Sequence, residues 1–230
     1  MLEFTGNCCA RVVNMEKGNL FIIATPIGNS SDISLRALDV LKEVDLILSE
    51  DTRETDKILK KYEIEKSQLS YRDQNHEAML PKIEEFLDNN LNVALISDSG
   101  TPLISDPGYK LVRELIRKGF NIVSIPGPSA VISALVISGF PTDKFSFLGF
   151  LPKSSGDRSK ILKIYGSLDS TLVIYESPFR IEKLLKEIDE NLGDRFVCLA
   201  NEITKIHEKV TRGKVSVVLE MVKGKRLKGE

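Results

Sequence analysis

The sequence predicts an α/β protein, and three observations carry that reading. Short apolar runs alternate with amphipathic segments along the chain, the pattern of strands connected by helices. Several of those runs lead straight into loops rich in Gly and Pro, which suits the carboxyl ends of strands in an open sheet. The composition, 42% hydrophobic and 28% charged over 230 residues, is that of a globular chain long enough for one large or two modest domains.

Taken in order, residues 20–24 (LFIIA) read as a buried strand. A helix is expected over 33–44, where Leu, Ala and Val recur at helical spacing behind Asp32 as the N-cap. Residues 46–48 form a second strand and 55–62 a second helix, while 81–89 is helical with Pro81 in its first turn. A strand over 93–96 runs into the loop SDSGTPLISDPG, and a helix over 109–118 stops at Gly119. The strand 122–125 ends in PGPSA and is followed by a helix of small residues to Ser138.

In the second half, strands are expected over 145–148, 172–175, 196–199 and 215–219, with the clearest helix over 181–188. The basic stretch KSSGDRSK, 153–160, reads as an exposed loop. The chain turns small and Pro-rich at 126–129, which divides it into domains over 18–126 and 127–230. Residues 1–17 match no element and read as an N-terminal extension, poorly ordered over 1–14, with Met15 as an alternative start.

Composition excludes several function classes. The net charge of −1 provides no global basic field, so an RNA partner would have to be gripped by local patches. Of the three cysteines, Cys8 and Cys9 are adjacent and Cys198 sits in an apolar run; no disulfide framework follows, and a reduced, cytoplasmic setting is expected. No apolar run is long enough to span a membrane, and no signal-peptide core is present. The phosphate motifs GxxxxGK[ST] and GxGxxG and the nucleophile elbow GxSxG are absent. With only His76 and His207 and no paired CxxC, no metal site is expected.

Three loops then concentrate the chemistry: 25–29, 97–108 and 126–130. Glycine lets backbone approach a ligand closely and proline fixes the loop shape. Over 25–32, 97–108 and 126–130 there is no Lys or Arg, but there are three carboxylates, Asp32, Asp98 and Asp106. A polyphosphate site needs cations, so these loops suit a neutral or cationic ligand bearing hydroxyl and amino groups. S-adenosylmethionine, with its sulfonium, ammonium and ribose diol, is such a ligand.

Seven stretches extend the reading: ATPIGNSSDISLRAL, SEDTRET, VALISDSGTPLISDPGYKLV, IPGPSA, SGFPTDKFSFLGFLP, YESPFR and NEITKIHEKVTRG, in that order between 18 and 213. Through them the chain resembles the tetrapyrrole-methylase superfamily and, within it, the ribosomal RNA small-subunit methyltransferase I family. The resemblance implies two α/β domains, each a mixed sheet flanked by helices, with a cofactor cleft between them, in a protein that is usually a homodimer. It implies S-adenosylmethionine-dependent 2′-O-methylation of a cytidine in the decoding region of 16S rRNA, on the small ribosomal subunit. Carried onto this chain, cofactor contacts come from Pro26, Asp98, Ser99, Gly100, Thr101, Pro126, Gly127, Ser129 and Ala130, joined by Tyr175 and Asn201 from the second domain.

The chain also departs from that family, with Asn201 opening NEITK where the family has Arg, and Arg72-Asp73-Gln74-Asn75 where it has a His-rich segment. It stops at KGE where relatives continue into a further strand, so a shortened member or a truncated chain is expected.

Methyl transfer to a ribose hydroxyl requires alignment of the oxygen, exclusion of water and a proton acceptor. Asp51, Arg53, Glu202 and Lys205 are the candidates for that work, with Glu50 beside them. For Asp51 and Arg53, a helix cap and a surface ion pair are an equally good reading. Substrate RNA contacts are expected from Arg72, Asn75, Arg158 and Arg180, with Phe179 stacking a base and His76 assisting. Further cations, Lys153, Lys160, Arg212 and a basic tail over 223–228, complete the set. Methylation of a tetrapyrrole or other small molecule, and a non-catalytic RNA-binding module, remain open as alternatives.

Overall fold

The computed structural model describes residues 17–225 and Gly229. The expectations for the N-terminal extension up to residue 16, for Cys8 and Cys9, and for Arg226 and Lys228 lie outside the described residues.

The first half is a five-stranded sheet built from β1 (Asn19–Ile23), β2 (Leu46–Ser49), β3 (Gln68–Ser70), β4 (Val93–Ile96) and β5 (Asn121–Ile125). The spatial order is β3-β2-β4-β1-β5. Every pairing in it is parallel, so the sheet is wholly parallel where a mixed one was expected. A parallel sheet must be covered on both faces, and the strands alternate accordingly. Leu46, Leu48, Val93 and Leu95 pack with Ile83 and Leu87 of α3 (His76–Asp88) and Leu111 and Leu115 of α4 (Tyr109–Arg117). Ile47, Ala94 and Ile96 face the other way, against Ala37 and Leu41 of α1 (Leu35–Glu43) and Leu59 of α2 (Thr52–Lys61).

The second half starts with α5 (Ala130–Ser138) and the strand β6 (Phe145–Phe150), which pairs in parallel with β7 (Thr171–Tyr175) across α6 (Ser155–Gly166). After α7 (Ile181–Leu192), β8 (Phe196–Asn201) and β9 (Lys209–Lys214) form an antiparallel hairpin, closed by α8 (Val215–Val222). Leu151, Leu162, Leu184, Ile188 and Val215 form its core.

Several local expectations are corrected. The cap of α1 is Ser34, whose Oγ accepts from the Ala37 N–H at 3.1 Å; Asp32 lies instead in a 3-10 turn capped by Asn29. Helix α3 starts five residues before Pro81, which sits inside it on the exposed side and removes one backbone donor. The 215–219 run is helical, because Val215, Val218 and Val222 recur at helical spacing and are buried; β-branched residues alone suggested a strand. The stretch 153–160 is largely the start of α6, and Arg158 is 3% exposed. Its guanidinium donates to Glu187 from Nε (2.5 Å) and a terminal nitrogen (2.5 Å), and to the carbonyls of Pro152 (2.8 Å) and Lys153 (2.7 Å). Arg158 is therefore a buried staple between α6 and α7 and not an RNA contact. Among the described residues, no helix is long and apolar enough to cross a membrane.

Candidate active site

The carboxyl ends of β1, β4 and β5 lie side by side, and their loops are tied into one unit. Thr25, fully buried, exchanges backbone hydrogen bonds with Gly100 in both directions (2.8 and 3.1 Å). Its Oγ1 donates to the Ser97 carbonyl at 3.1 Å. Thr101 Oγ1 donates to the Pro128 carbonyl at 3.1 Å, which links the β4 and β5 loops. Gly127 backs onto Ala24, with a hypothetical Cβ only 3.0 Å from the Ala24 side chain.

The second half closes over this unit. A Cβ at Gly28 would stand 2.5 Å from Lys205 Cγ and 3.0 Å from the Ile203 carbonyl oxygen, so only glycine fits against the turn that joins β8 to β9. The Asn29 N–H donates to Thr204 Oγ1 at 2.9 Å. Non-glycine residues stand in the left-handed region both in the loop after β4, at Leu103 and Ser105, and in the β8–β9 turn, at Glu202 and Thr204. Such residues cost roughly 1–2 kcal/mol each and concentrate at functional sites.

Between the halves lies a cleft of ≈ 1170 Å³ that runs on between the β6–β7 pair and the β8–β9 hairpin. Of the expected cofactor residues, Asp98, Ser99, Gly100, Thr101, Ser129, Ala130 and Tyr175 line it, whereas Pro26, Pro126, Gly127 and Asn201 do not. Of these four, Gly127 backs onto Ala24. Of the expected catalytic residues, Glu202 and Lys205 line the cleft, with Lys205 Nζ 2.8 Å from Glu202 Oε1.

Asp51 and Arg53 stand outside the lining. Asp51 caps α2 by accepting from the Arg53 N–H at 2.9 Å, and Arg53 also grips its carboxylate through Nε at 2.9 Å and a terminal nitrogen at 2.5 Å. The hydrogen bonds from Arg53 hold the Asp51 carboxyl well below the usual carboxylate range. The Asp51 N–H in turn donates to Asp98 Oδ1 at 2.9 Å, so this cap and ion pair adjoin the cleft wall.

The expected RNA contacts divide in the same way. Phe179 lines the cleft and is 80% exposed. Arg180 is tied inward, to the Leu151 carbonyl (3.2 Å) and to Glu176 Oε2 (3.3 Å). Arg72 is exposed and donates from Nε to the Glu50 carbonyl at 3.1 Å. Asn75 is spent on its own turn, accepting from the Arg72 N–H and donating to the Ser70 carbonyl. His76 is 4% exposed, with Nδ1 3.0 Å from the Tyr71 hydroxyl, which corrects any substrate role for it. Arg212 bonds the Ile137 and Ser138 carbonyls at the end of α5.

Phe150, Ile27, Ile104 and Glu176 line the cleft without having been singled out. Phe150 closes the aromatic-rich strand FSFLGF, after a register shift between Phe147 and Gly149 that breaks the alternation of Phe145 and Phe147.

Electrostatics select the ligand. Burial, then Glu50, pushes Asp106 up to about 6, against a hydrogen bond from Ser97. Glu50 is raised by burial and then by Asp98. Burial raises the Tyr175 hydroxyl, and the nearby Asp106 carboxylate adds to the shift. Carboxylates crowded in this way are stabilised by a cation. The donor set therefore fits S-adenosylmethionine: Glu50, Asp98 and Asp106 for its positive groups, and Ser99, Thr101 and Ser129 for its hydroxyls and base.

Comparison with known proteins agrees with this geometry. The tetrapyrrole (corrin/porphyrin) methylases match over residues 19–218. A ribosomal RNA small subunit methyltransferase I of Thermotoga maritima is 46% identical over 213 residues, covering 93% of this chain and 96% of that protein. That of Bacillus subtilis is 39% identical over 215 residues, covering 94% of this chain and 74% of that protein. In fold, the chain is similar to diphthine synthase (TM-score 0.69, 17% identity, 91% of this chain and 87% of that one). It is also similar to cobalt precorrin-4 methyltransferase (TM-score 0.64, 19% identity, 89% and 88%). The chain thus belongs to the tetrapyrrole (corrin/porphyrin) methylases, as a methyltransferase of the ribosomal RNA small subunit methyltransferase I group whose methyl donor is S-adenosylmethionine.

Proposed function

We propose that this chain methylates the 2′-oxygen of a cytidine ribose in the decoding region of 16S rRNA, acting on the small ribosomal subunit in the cytoplasm as a homodimer of two-domain protomers. The observation that carries the reading is the carboxylate-lined cleft of Glu50, Asp98 and Asp106 between the two halves, which favours a cationic methyl donor. The rRNA substrate is supported by the names of relatives such as those of Thermotoga maritima and Bacillus subtilis.

When bound, S-adenosylmethionine supplies a methyl group already activated by a positive charge. The chain's own residues orient the acceptor hydroxyl, exclude water and take its proton. A general base works best near the operating pH. Asp106, pushed up to about 6, matches that need better than Asp51, which Arg53 keeps ionised. Glu202 and Lys205, paired at 2.8 Å, position the hydroxyl from the other wall. Arg53 and Arg72, exposed and outside the lining, engage the RNA backbone.

Methylation of a tetrapyrrole is the competing reading suggested by the family's name. The acidic cleft disfavours a macrocycle that carries several carboxylates of its own. Purified chain with radiolabelled donor and undermethylated 30S particles should place label in 16S rRNA. Label in a tetrapyrrole precursor and none in the particles would refute the rRNA reading, and absence of donor binding by calorimetry would leave only a non-catalytic binding module.

A further inference from the structure

Two large phenylalanines stand in the open beside the cleft. Phe150, at the end of β6, is 58% exposed, and Phe179, in the turn between β7 and α7, is 80% exposed. Both line the cleft, and their backbones are linked. Arg180, next to Phe179, donates to the carbonyl of Leu151, next to Phe150, at 3.2 Å. The same guanidinium is 3.3 Å from Oε2 of Glu176, whose side chain is 4% exposed. Arg158 holds the following carbonyls, Pro152 and Lys153, from within the core. The Phe150 ring leans on Tyr175, centroids 5.5 Å apart. Aromatic surface is thus left uncovered at both positions, beside backbone that Arg180 and Arg158 tie down.

Charge decides what can cover it. The cleft lining carries seven carboxylates (Glu50, Asp98, Asp106, Asp143, Asp169, Glu176 and Glu202) against three cations. Of those cations, Lys144 is paired with Asp169 and Lys205 with Glu202. A phosphodiester chain is repelled from such an interior and held by cations outside it. Arg53 and Arg72 stand there, outside the lining. The part of an RNA that can enter is the uncharged base and ribose, and every base has a face that stacks on an aromatic ring.

Building on the rRNA reading, we infer that Phe150 and Phe179 form the stacking site for the base of a single nucleotide drawn out of the RNA, while its phosphates stay on the arginine rim. The cleft then receives a nucleoside, and the ribose hydroxyl arrives with it.

The test uses the full chain and a single-stranded cytidine-rich RNA oligonucleotide carrying a fluorescent cytidine analogue. Phe150→Leu and Phe179→Leu should each weaken binding by about 5- to 100-fold, the range expected for one stacked base. The dependence of log K on log salt should keep its slope, because no phosphate contact is lost. Phe179→Trp should bind as the unaltered protein does. Arg53→Ala should show the opposite pattern, a shallower slope. Circular dichroism melts with the unaltered Tm should report that the Leu variants are folded. RNA binding at full strength by both Leu variants overturns the stacking site alone. Failure of the unaltered protein to bind any RNA, while it still binds the donor, overturns the rRNA reading and the stacking site with it.

Discussion

Replacing Arg158 by alanine should unfold the second half of the molecule more readily than any single surface change. The guanidinium is 3% exposed and its partner Glu187 8% exposed. It makes two bonds of 2.5 Å to that carboxylate and two more to the Pro152 and Lys153 carbonyls. In the alanine variant Glu187 keeps Ser155 Oγ, at 2.8 Å, as its side-chain donor but loses its cation. Breaking a buried pair by removing one partner costs about 3–5 kcal/mol, whereas replacing both partners by apolar side chains is often neutral. For a chain of this size 1 kcal/mol moves Tm by about 2–4 °C, so Arg158→Ala should lower Tm by roughly 10 °C. Arg158→Met with Glu187→Met should recover most of that loss. The Arg158 hydrogen bond depresses the Glu187 carboxyl below its usual range, so the pair stabilises the fold above that range, and the benefit fades as pH falls through the depressed value. Differential scanning calorimetry of the three proteins at neutral and acidic pH decides the matter. A drop below about 3 °C, or a double variant no more stable than the single one, would refute the staple.

Three further substitutions test the cleft. Asp98→Ala should weaken S-adenosylmethionine by about 10-fold or more in calorimetry, the scale of one charge-assisted hydrogen bond, with Tm little changed; a loss under threefold would remove Asp98 from the donor site. Asp106 ionises as pH rises through about 6, so preference for the cationic donor over uncharged-sulfur S-adenosylhomocysteine should grow between pH 5 and 7, and Asp106→Asn should flatten that growth. Without ligand the sign reverses for stability: a raised carboxyl favours the fold at low pH and loses that contribution as pH passes its folded value, so Asp106→Asn should gain on the unaltered protein as pH rises. Gly28→Ala places a methyl group 2.5 Å from Lys205 Cγ and 3.0 Å from the Ile203 carbonyl and should cost about 1–3 kcal/mol, read as a lower Tm and weaker donor binding.

The parts of the fold that were legible are those where one local signal dominates. The β4 run VALI is bounded by polar residues and carries no competing period, and its strand was placed to the residue. The three loops that border the cleft stand out in the sequence because glycine, proline and missing cations are all visible there. The failures share a different cause, a residue whose role is set by a partner far along the chain. Arg158 looks like a solvated arginine until Glu187, 29 residues on, takes it into the core. The run from Val215 has a sequence suited to a strand, and its packing against α7 makes it helical. Polar β3, three residues long, acquires its strand geometry only by pairing with β2. Phe150 ends an apolar strand, where a phenylalanine is ordinarily buried; its exposure beside the cleft appears only once the chain is folded.

The arrangement of charge also bears on how the cleft tolerates turnover. Burial raises Glu50 and Asp106, the neighbouring carboxylates add to both shifts, and a bound cation relieves that added repulsion. Methyl transfer removes this cation, because the donor's sulfur ends uncharged. Three carboxylates would then face one another alone, unless something positive replaced what was lost. In the proposed reaction, the proton released by the ribose hydroxyl is that replacement. Were Asp106 the acceptor, it would become neutral as the sulfonium charge was lost, and the net charge within the cleft would be the same before and after the step. A base elsewhere, such as Asp51 with its carboxylate already committed to Arg53, would leave the cluster unrelieved. On the proposed reading, the carboxylates that would hold the donor therefore favour a proton acceptor drawn from among themselves, and they would repel the phosphates of an RNA substrate toward the rim.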